Sequence, residues 1–352
     1  MIEFNHSQMK LVLHKILHWE YWPFHALYFP VFFLWAYFAL RERSLFFFNA
    51  VNPSMKNGGF FMVSKAEIYS LIPPQYYPKT RLVHPGLSAE DVTQLRRENA
   101  FTFPLIAKPD MGLRGSAVKK IESTEALQAY HQQAQFDYLL QDLIPYTNEV
   151  GIFYVRYPHE NKGQITGIVA KEFLTITGDG TSTREQLLQK DPRSAMQLPV
   201  LRQEMGAGLH HVLAKGQEER VVPFGNHCRG TKFIDASSWI TPQLTAVIDE
   251  LCQQIDGFYY GRLDVMYHSR EDLEQGKNFA IVELNGAMSE PTHMYDPAHS
   301  IWYAWRELYK HMWHLFTISH INHQLGHPYL SHKAGMQQYR LHLKHNQKIL
   351  DF

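Results

Sequence analysis

The sequence predicts an α+β fold, with an apolar helical segment ahead of it and a helical tail behind. Three observations carry this. Residues 21–40, YWPFHALYFPVFFLWAYFAL, contain no Lys, Arg, Asp or Glu. From Ser64 onward, short strand-like runs alternate with helical ones. Residues 298–352 read as helical, aromatic and His-rich. The units that follow are 1–60, 61–297 and 298–352, with no internal repeat and no low-complexity tract. Composition narrows the function classes. Of the 352 residues, 45% are hydrophobic and 19% charged, which excludes a disordered chain. Lys+Arg and Asp+Glu both number 34, so there is no basic excess of the kind a nucleic-acid binder needs. The 21 His make the charge sensitive to pH below neutrality. Cys228 and Cys252 fit neither a disulfide framework nor a zinc signature, and point to a reducing compartment.

Taken in order, residues 1–20 form an amphipathic helix, with Met9, Leu11, Val12, Ile16 and Leu17 at near-helical spacing. Twenty helical residues then span about 30 Å, the thickness of a bilayer core. The run starts too late and is too aromatic for a signal peptide. Pro30 predicts a kink. Tyr21, Trp22, Tyr28, Trp35 and Tyr37 suit a headgroup layer better than an acyl core. Membrane association is the preferred reading, with spanning, re-entrant and interfacial forms all open. The bland alternatives are a helix buried over the catalytic body or a dimer contact. Arg41, Glu42 and Arg43 end the segment, and 46–60 carries Asn-Pro and Asn-Gly-Gly turn signals. Strands are predicted at 103–108, 138–143, 150–157, 164–177 (one or two), 259–267 and 278–284. Helices are predicted at 123–135 and at 241–254, where Pro242 suits a first turn.

Two stretches carry chemistry. In FPLIAKPDMGLRGSAVKKI a strand delivers Lys108 to a loop with Gly112 and Gly115, whose N–H groups suit phosphate oxygens. No Gly-Lys-Ser/Thr follows, so it is not a P-loop. The second stretch is the hairpin YYGRLDVMY and FAIVELNGA. A simple register sets Asp264 opposite Val282. A shift of one residue sets it opposite Glu283, with both carboxylates on one face. Asp264, Glu283 and Asn285 are then hard oxygen ligands suited to Mg²⁺. Glu283 sits in an apolar strand and calls for a cation. The alternative to a metal is an Arg262–Glu283 ion pair.

In this order the motifs resemble the ATP-grasp superfamily, near the D-alanine–D-alanine ligases and the glutathione-synthetase-like carboxylate–amine ligases. The resemblance runs from about Met62 to Pro297. It implies two α+β lobes around a nucleotide cleft, with ATP and one or two Mg²⁺ (or Mn²⁺) ions bound. SKAEIYSLIPPQYYPKT implies a first nucleotide lysine, Lys65, and the glycine-loop element implies a second, Lys108, with Gly112, Gly115 and Ser116 around phosphate. LLQDLIPYTNEVGIF resembles the interlobe hinge, with Gln141, Asp142, Leu143 and Ile144 at adenine and Glu149 at ribose. AKEFLTITGDGTSTREQLL makes Lys171 a phosphate-side, catalytic lysine. GRLDV and ELN match the metal hairpin, and Arg262 takes the oxyanion-stabilising role. The implied reaction is ATP-dependent joining of a carboxylate to an amine or other nucleophile through an acyl phosphate. The competitors are a phosphotransferase and a silent membrane-bound nucleotide scaffold.

The departures bear on substrate. After Asn285 the sequence runs Gly-Ala-Met-Ser-Glu-Pro-Thr-His, where the D-alanine ligases have Pro-Gly. Arg114 stands in the glycine loop and is expected to enter the phosphate site. The N-terminal α/β domain usual in those ligases has no counterpart, and residues 1–60 offer the apolar segment instead. D-alanine is therefore not the expected substrate, and a lipid-linked or amphiphilic one is. Arg229 and Lys232, in a polar segment with Asn226, His227 and Cys228, are candidate substrate contacts, as are Ser289, Glu290 and His293. His311, His314, His320, His323 and His327 read as solvated or interfacial rather than metal-binding. A homodimer is an open option. The catalytic body is expected in the cytoplasm, held to the inner face of a membrane by 21–40.

Overall fold

The computed structural model describes residues 6–112, 115–222, 225, 227–350 and 352. Helices α1 (His6–Leu17) and α2 (Phe24–Arg41) come first, joined by a single turn at Trp19–Tyr21. α2 runs unbroken through Pro30, where the sequence predicts a kink. Leu27 and Val31 flank the proline and are both buried with Met294, Ala304 and Leu308. That packing holds both halves helical despite the missing N–H.

α3 (Lys65–Leu71) leads into the first lobe, which contains β1 (Thr80–Val83), α4 (Ala89–Glu98), β2 (Leu105–Pro109), β3 (Lys119–Ile121), α5 (Thr124–Gln133) and β4 (Tyr138–Asp142). Its antiparallel sheet has the order β1-β4-β2-β3. Ser88 and Ser123 cap α4 and α5 by accepting from the backbone three residues on. Apolar residues of the helices, among them Val92 and Leu127, close over Val83, Leu105 and Tyr138.

The second lobe starts with β5 (Asn148–Val155) and β6 (Gln164–Glu172). An insertion follows: β7 (Thr175–Thr177), α6 (Arg184–Gln189), α7 (Pro192–Ala195), α8 (Leu198–Met205) and β8 (Glu218–Arg220), around a small core that includes Leu174, Leu188 and Leu201. The lobe resumes with β9 (Lys232–Asp235), α9 (Pro242–Gln253), β10 (Tyr260–Tyr267), α10 (Arg270–Glu274) and β11 (Phe279–Asn285), in the sheet order β11-β10-β5-β6-β9. One sheet face, with Ile152, Ile168 and Leu263, packs on Ile248 and Leu251 of α9. The opposite face carries the polar side chains discussed below. Two α+β lobes joined by one hinge are the arrangement the ATP-grasp resemblance implies, with an apolar N-terminal helix and a helical tail in their expected places.

The tail is α11 (Ile301–Gln324) and α12 (His332–Leu350). α11 lies along α2, where Phe38 and Phe316 stack with ring centroids 3.9 Å apart. α12 returns to the first lobe and buries Ile349 in its core. His320 meets Glu42 at 3.1 Å, and His323 meets the His327 carbonyl at 3.0 Å. His311 is buried against Phe153, ring centroids 4.3 Å apart, with no hydrogen bond to either ring nitrogen. Burial, then the charges of His293 and His314, push its imidazole well below the ordinary range. His314 meets the Tyr157 hydroxyl at 2.7 Å, and burial, then Lys310, push it down to about 4.

At His314 the unfolded chain therefore takes up a proton near pH 6.5, which the native state refuses until about pH 4, and His311 acts in the same direction. Stability present above pH 6.5 is lost as the pH falls toward 4. Thermal melts across that window are expected to show a falling Tm. His314→Gln, which keeps a partner for Tyr157, should show a shallower fall.

Candidate functional site

The β10–β11 hairpin sets the geometry. Near its turn the register is the simple one, Tyr267 with Phe279 and Val265 with Ile281. A bulge between Asp264 and Val265 then shifts it by one residue. Beyond the bulge Asp264 faces Glu283, and Arg262 faces Asn285. The residue that the ladder skips is Val282. Its carbonyl turns outward and accepts from the Tyr69 hydroxyl and, at 3.3 Å, from Lys108 Nζ.

The floor is shaped by small residues. A Cβ on Gly151 would lie 2.9 Å from Val169, 3.0 Å from Arg262 Cδ and 3.1 Å from Asp264 Oδ1. Glycine there lets Arg262 lie against Asp264, with Nε–Oδ1 at 2.7 Å and Nη2–Oδ2 at 3.2 Å. Lys171 projects from β6 to the same carboxylate at 3.6 Å and forms a shorter ion pair with Glu149. Burial alone would push the Asp264 carboxyl up, but Arg262 and Lys171 hold it below the usual carboxylate range. Burial would likewise lower Lys171 and Arg262, and the carboxylates facing them raise both instead. The Arg262–Glu283 pair weighed from the sequence is not the one formed. Arg262 pairs within its own strand, and Glu283 is met by Lys65 at 3.4 Å.

Lys65 and Lys108 come from the other side of the hinge. Lys65 begins α3, whose first turn is tied to Asp110 through Ser64 Oγ and the Ala66 N–H. Its Nζ also reaches the Gly112 carbonyl at 3.3 Å. Lys108 is buried on β2 beside the Tyr69 hydroxyl at 2.9 Å, and burial brings its ammonium down to about 8. Gly112 packs on Pro109 and Ile349, and Gly115, at φ 74°, turns the loop back with Ser116 half-buried after it. Leu113 and Arg114 lie outside the described residues, as does Asn226.

The hinge is the link from β4 to β5. Gln141 is buried and donates to Thr80 Oγ1 at 2.7 Å. Asp142 N donates to the Lys79 carbonyl at 3.0 Å. Leu143 is exposed and Ile144 half-buried. Glu149, expected at a ribose, is here the partner of Lys171.

Past the end of β11, Ser289 Oγ donates to the Asn285 carbonyl at 2.7 Å and accepts from the Arg262 N–H at 3.2 Å. The Glu290 carbonyl accepts from Arg262 Nη1 at 3.2 Å, and its carboxylate accepts from Tyr28 and Tyr295. His293 lies flat on Gly167, where a Cβ would come within 2.2 Å of the ring, and sits 3.5 Å from Glu307. Arg229 pairs with Glu204, and Lys232 sits 3.7 Å from Glu172. His227 is 3.5 Å from Glu20, which also pairs with Arg193 at 2.8 Å. Sequence reasoning missed Tyr28, Glu20, Tyr69 and Glu307 as neighbours of the site. Tyr28 and Glu290 are 262 residues apart, and no local pattern joins them.

The donor set fits a hard divalent cation. Two opposed carboxylates are joined by Asn285, whose buried side-chain nitrogen has no partner, and whose amide can equally turn its oxygen inward. Among the described residues no three His, Cys, Asp or Glu side chains form a metal cluster, so phosphate or water oxygens would complete the shell. A separate crevice of about 800 Å³, lined by Asn49, Lys56, Glu67, His327 and Tyr329 among others, contains none of these groups.

No protein-family model matches the chain, and no curated protein matches it. Among solved structures it is similar to the bifunctional glutathione synthetase from Pasteurella multocida, at 12% identity and TM-score 0.37, covering 74% of this chain and 38% of that one. It is also similar to the D-alanine–D-alanine ligase from Bacillus anthracis, at 11% and 0.40, covering 75% and 69%. A third is the D-Ala:D-Ser ligase from Enterococcus faecalis, at 13% and 0.40, covering 72% and 61%. The chain thus spans well under half of the first of these. At such TM-scores the site reading rests on the side chains above.

Gly167→Ala forces its methyl into the His293 ring and is expected to destabilise the fold by about 1–3 kcal/mol. In the double variant with His293→Ala that clash is gone. Urea denaturation should show the pair losing less than the sum of the singles, by at least about 1 kcal/mol.

Proposed function

We propose that this chain is an ATP-grasp ligase, joining a carboxylate to an amine or similar nucleophile with ADP and phosphate as by-products. The observation that carries the reading is convergence at the bulged hairpin. Lys65, Lys108, Lys171 and Arg262, from four separate elements, gather around Asp264, Glu283 and Asn285. Activating a carboxylate as its acyl phosphate needs positive charge around the transferring phosphoryl group and little covalent chemistry from the protein.

The residues divide the work by position. Lys108, brought down to about 8 by burial, would be raised toward the ordinary lysine range by a phosphate oxygen in place of its backbone partner. Lys65, at the start of α3, clamps the glycine loop through Gly112 and faces the same phosphates. Main-chain groups at 141–144 take the adenine. Asp264, Glu283 and Asn285 would hold Mg²⁺, which would supply positive charge to the phosphate oxygens. Arg262 lies between that set and Ser289, where it can stabilise the oxyanion formed when the nucleophile attacks the acyl carbonyl. His293, with Glu307 behind it, would act as the base at the acceptor end. On this reading, closure of the glycine loop would keep water from the acyl phosphate.

The acceptor end also favours an amphiphilic substrate. Tyr28 from the apolar helix touches Glu290, and Trp19 stacks on Tyr295 at 5.8 Å. On this reading the apolar segment lies against the acceptor end through Tyr28 and Trp19.

Calorimetry in mild detergent should show ATP binding that depends on Mg²⁺, weakened at least about tenfold by Glu283→Ala. Phosphate release should require both a carboxylate and a nucleophile. ADP formation without phosphate release would mean a phosphotransferase, and absence of nucleotide binding in the wild type would sink the catalytic reading.

A further inference from the structure

α2 is long and apolar enough to cross a bilayer, yet one side of it is already used. Leu27, Val31, Phe38 and Ala39 are buried, with Phe38 stacked on Phe316 of α11. Trp305 Nε1 donates to the Leu27 carbonyl at 2.9 Å. The other side is bare: Phe29, Phe33, Tyr37 and Leu40 are 54–80% exposed. The surface continues onto α11, where Trp313 packs edge-on to Phe38 and Tyr309 stacks on Trp313, both rings partly exposed. Trp302, 73% exposed, extends it beside Trp305. On α1, Leu13, Ile16 and Leu17 are 55–69% exposed.

The charges around this surface have one sign. Among the described residues of α1, α2, the turn after it and the first half of α11, the exposed charged side chains are Lys10, Lys15, Arg41, Arg43, Arg306 and Lys310. The acids of the same stretch are turned inward. Glu20 is 4% exposed beside Arg193, Glu42 7% beside His320, and Glu307 7% beside His293. Exposed aromatic and aliphatic side chains ringed by cations match an anionic lipid leaflet, with aromatics at headgroup depth. A spanning α2 would drag its packed partner α11, with Arg306, Lys310 and the buried Glu307, into hydrocarbon.

We propose that α1, α2 and the exposed side of α11 form an in-plane docking face for an anionic membrane surface, so that the protein rests on one leaflet without crossing it. Tyr28, on the same α2, touches Glu290, so docking brings the acceptor end of the site to headgroup level. That last consequence rests on the ligase reading, whereas the docking does not.

The test uses the full-length protein, freed of detergent and floated with vesicles of phosphatidylcholine alone or equimolar with phosphatidylglycerol. At least about tenfold more protein should float with the anionic vesicles, and high salt or alkaline carbonate should release it. Phe33→Ser with Trp302→Ser should abolish flotation while Mg²⁺–ATP binding stays as in the wild type. If that variant does not fold, Lys10→Glu with Arg43→Glu should remove the preference for anionic lipid. Failure of the wild type to float, a carbonate-resistant spanning protein, or a lipid-free dimer broken by Phe33→Ser would each overturn the proposal. Flotation without nucleotide binding would uphold the docking face and remove the ligase reading instead.

Discussion

The site depends on one skipped residue. If β11 paired with β10 in a single register throughout, Asp264 would face Val282 and Glu283 would turn toward the opposite sheet face, which is packed on α9. The bulge at Val282 changes two things at once. It carries Glu283 round to the face of Asp264, and it frees a carbonyl that the ladder would otherwise have satisfied. That carbonyl is where Lys108 and Tyr69 from the first lobe dock. Local backbone irregularity thus creates the paired carboxylates and the contact that closes the two lobes on each other.

Much of this was legible in the sequence because it is local. The two strands, their short connection and the residue parities are readable from within twenty-odd positions, and both registers that the hairpin uses were visible as alternatives. The cation that Glu283 requires was also foreseeable, since a carboxylate in an apolar strand is costly alone. Which cation was not. Arg262 is nearer in sequence, but Gly151 gives it room beside Asp264, and Lys65 arrives from a helix more than two hundred positions away. The short strand Thr80–Val83 was missed because only Val83 is buried, leaving no alternation to detect. The insertion helices escaped for a similar reason, being only four to eight residues long.

The N-terminal segment was ambiguous for a different reason. An uninterrupted apolar run carries no phase, so composition cannot say which side of the helix is covered. Packing supplies the answer. Phe38 and Leu27 find partners on α11, whereas Phe33 and Tyr37 do not. The contact of Tyr28 with Glu290 then couples this segment to the end of the β10–β11 hairpin, which a linear reading has no means to see.

The ionic pattern explains how so many charges are held together in one place. Four cations, Lys65, Lys108, Lys171 and Arg262, stand with three carboxylates, Glu149, Asp264 and Glu283. Removing one partner from a buried set of this kind leaves an uncompensated charge, typically worth about 3–5 kcal/mol. Lys65 and Lys171 therefore serve as counter-ions to these carboxylates. Lys108 is the exception, because it rests on neutral oxygens, and burial rather than a carboxylate sets its proton affinity. On the ligase reading it is the cation with most to gain from an incoming phosphate. On that reading, Lys65 and Lys171 would hold phosphate oxygens, and Asp264, Glu283 and Asn285 would hold a divalent cation that supplies positive charge in their place.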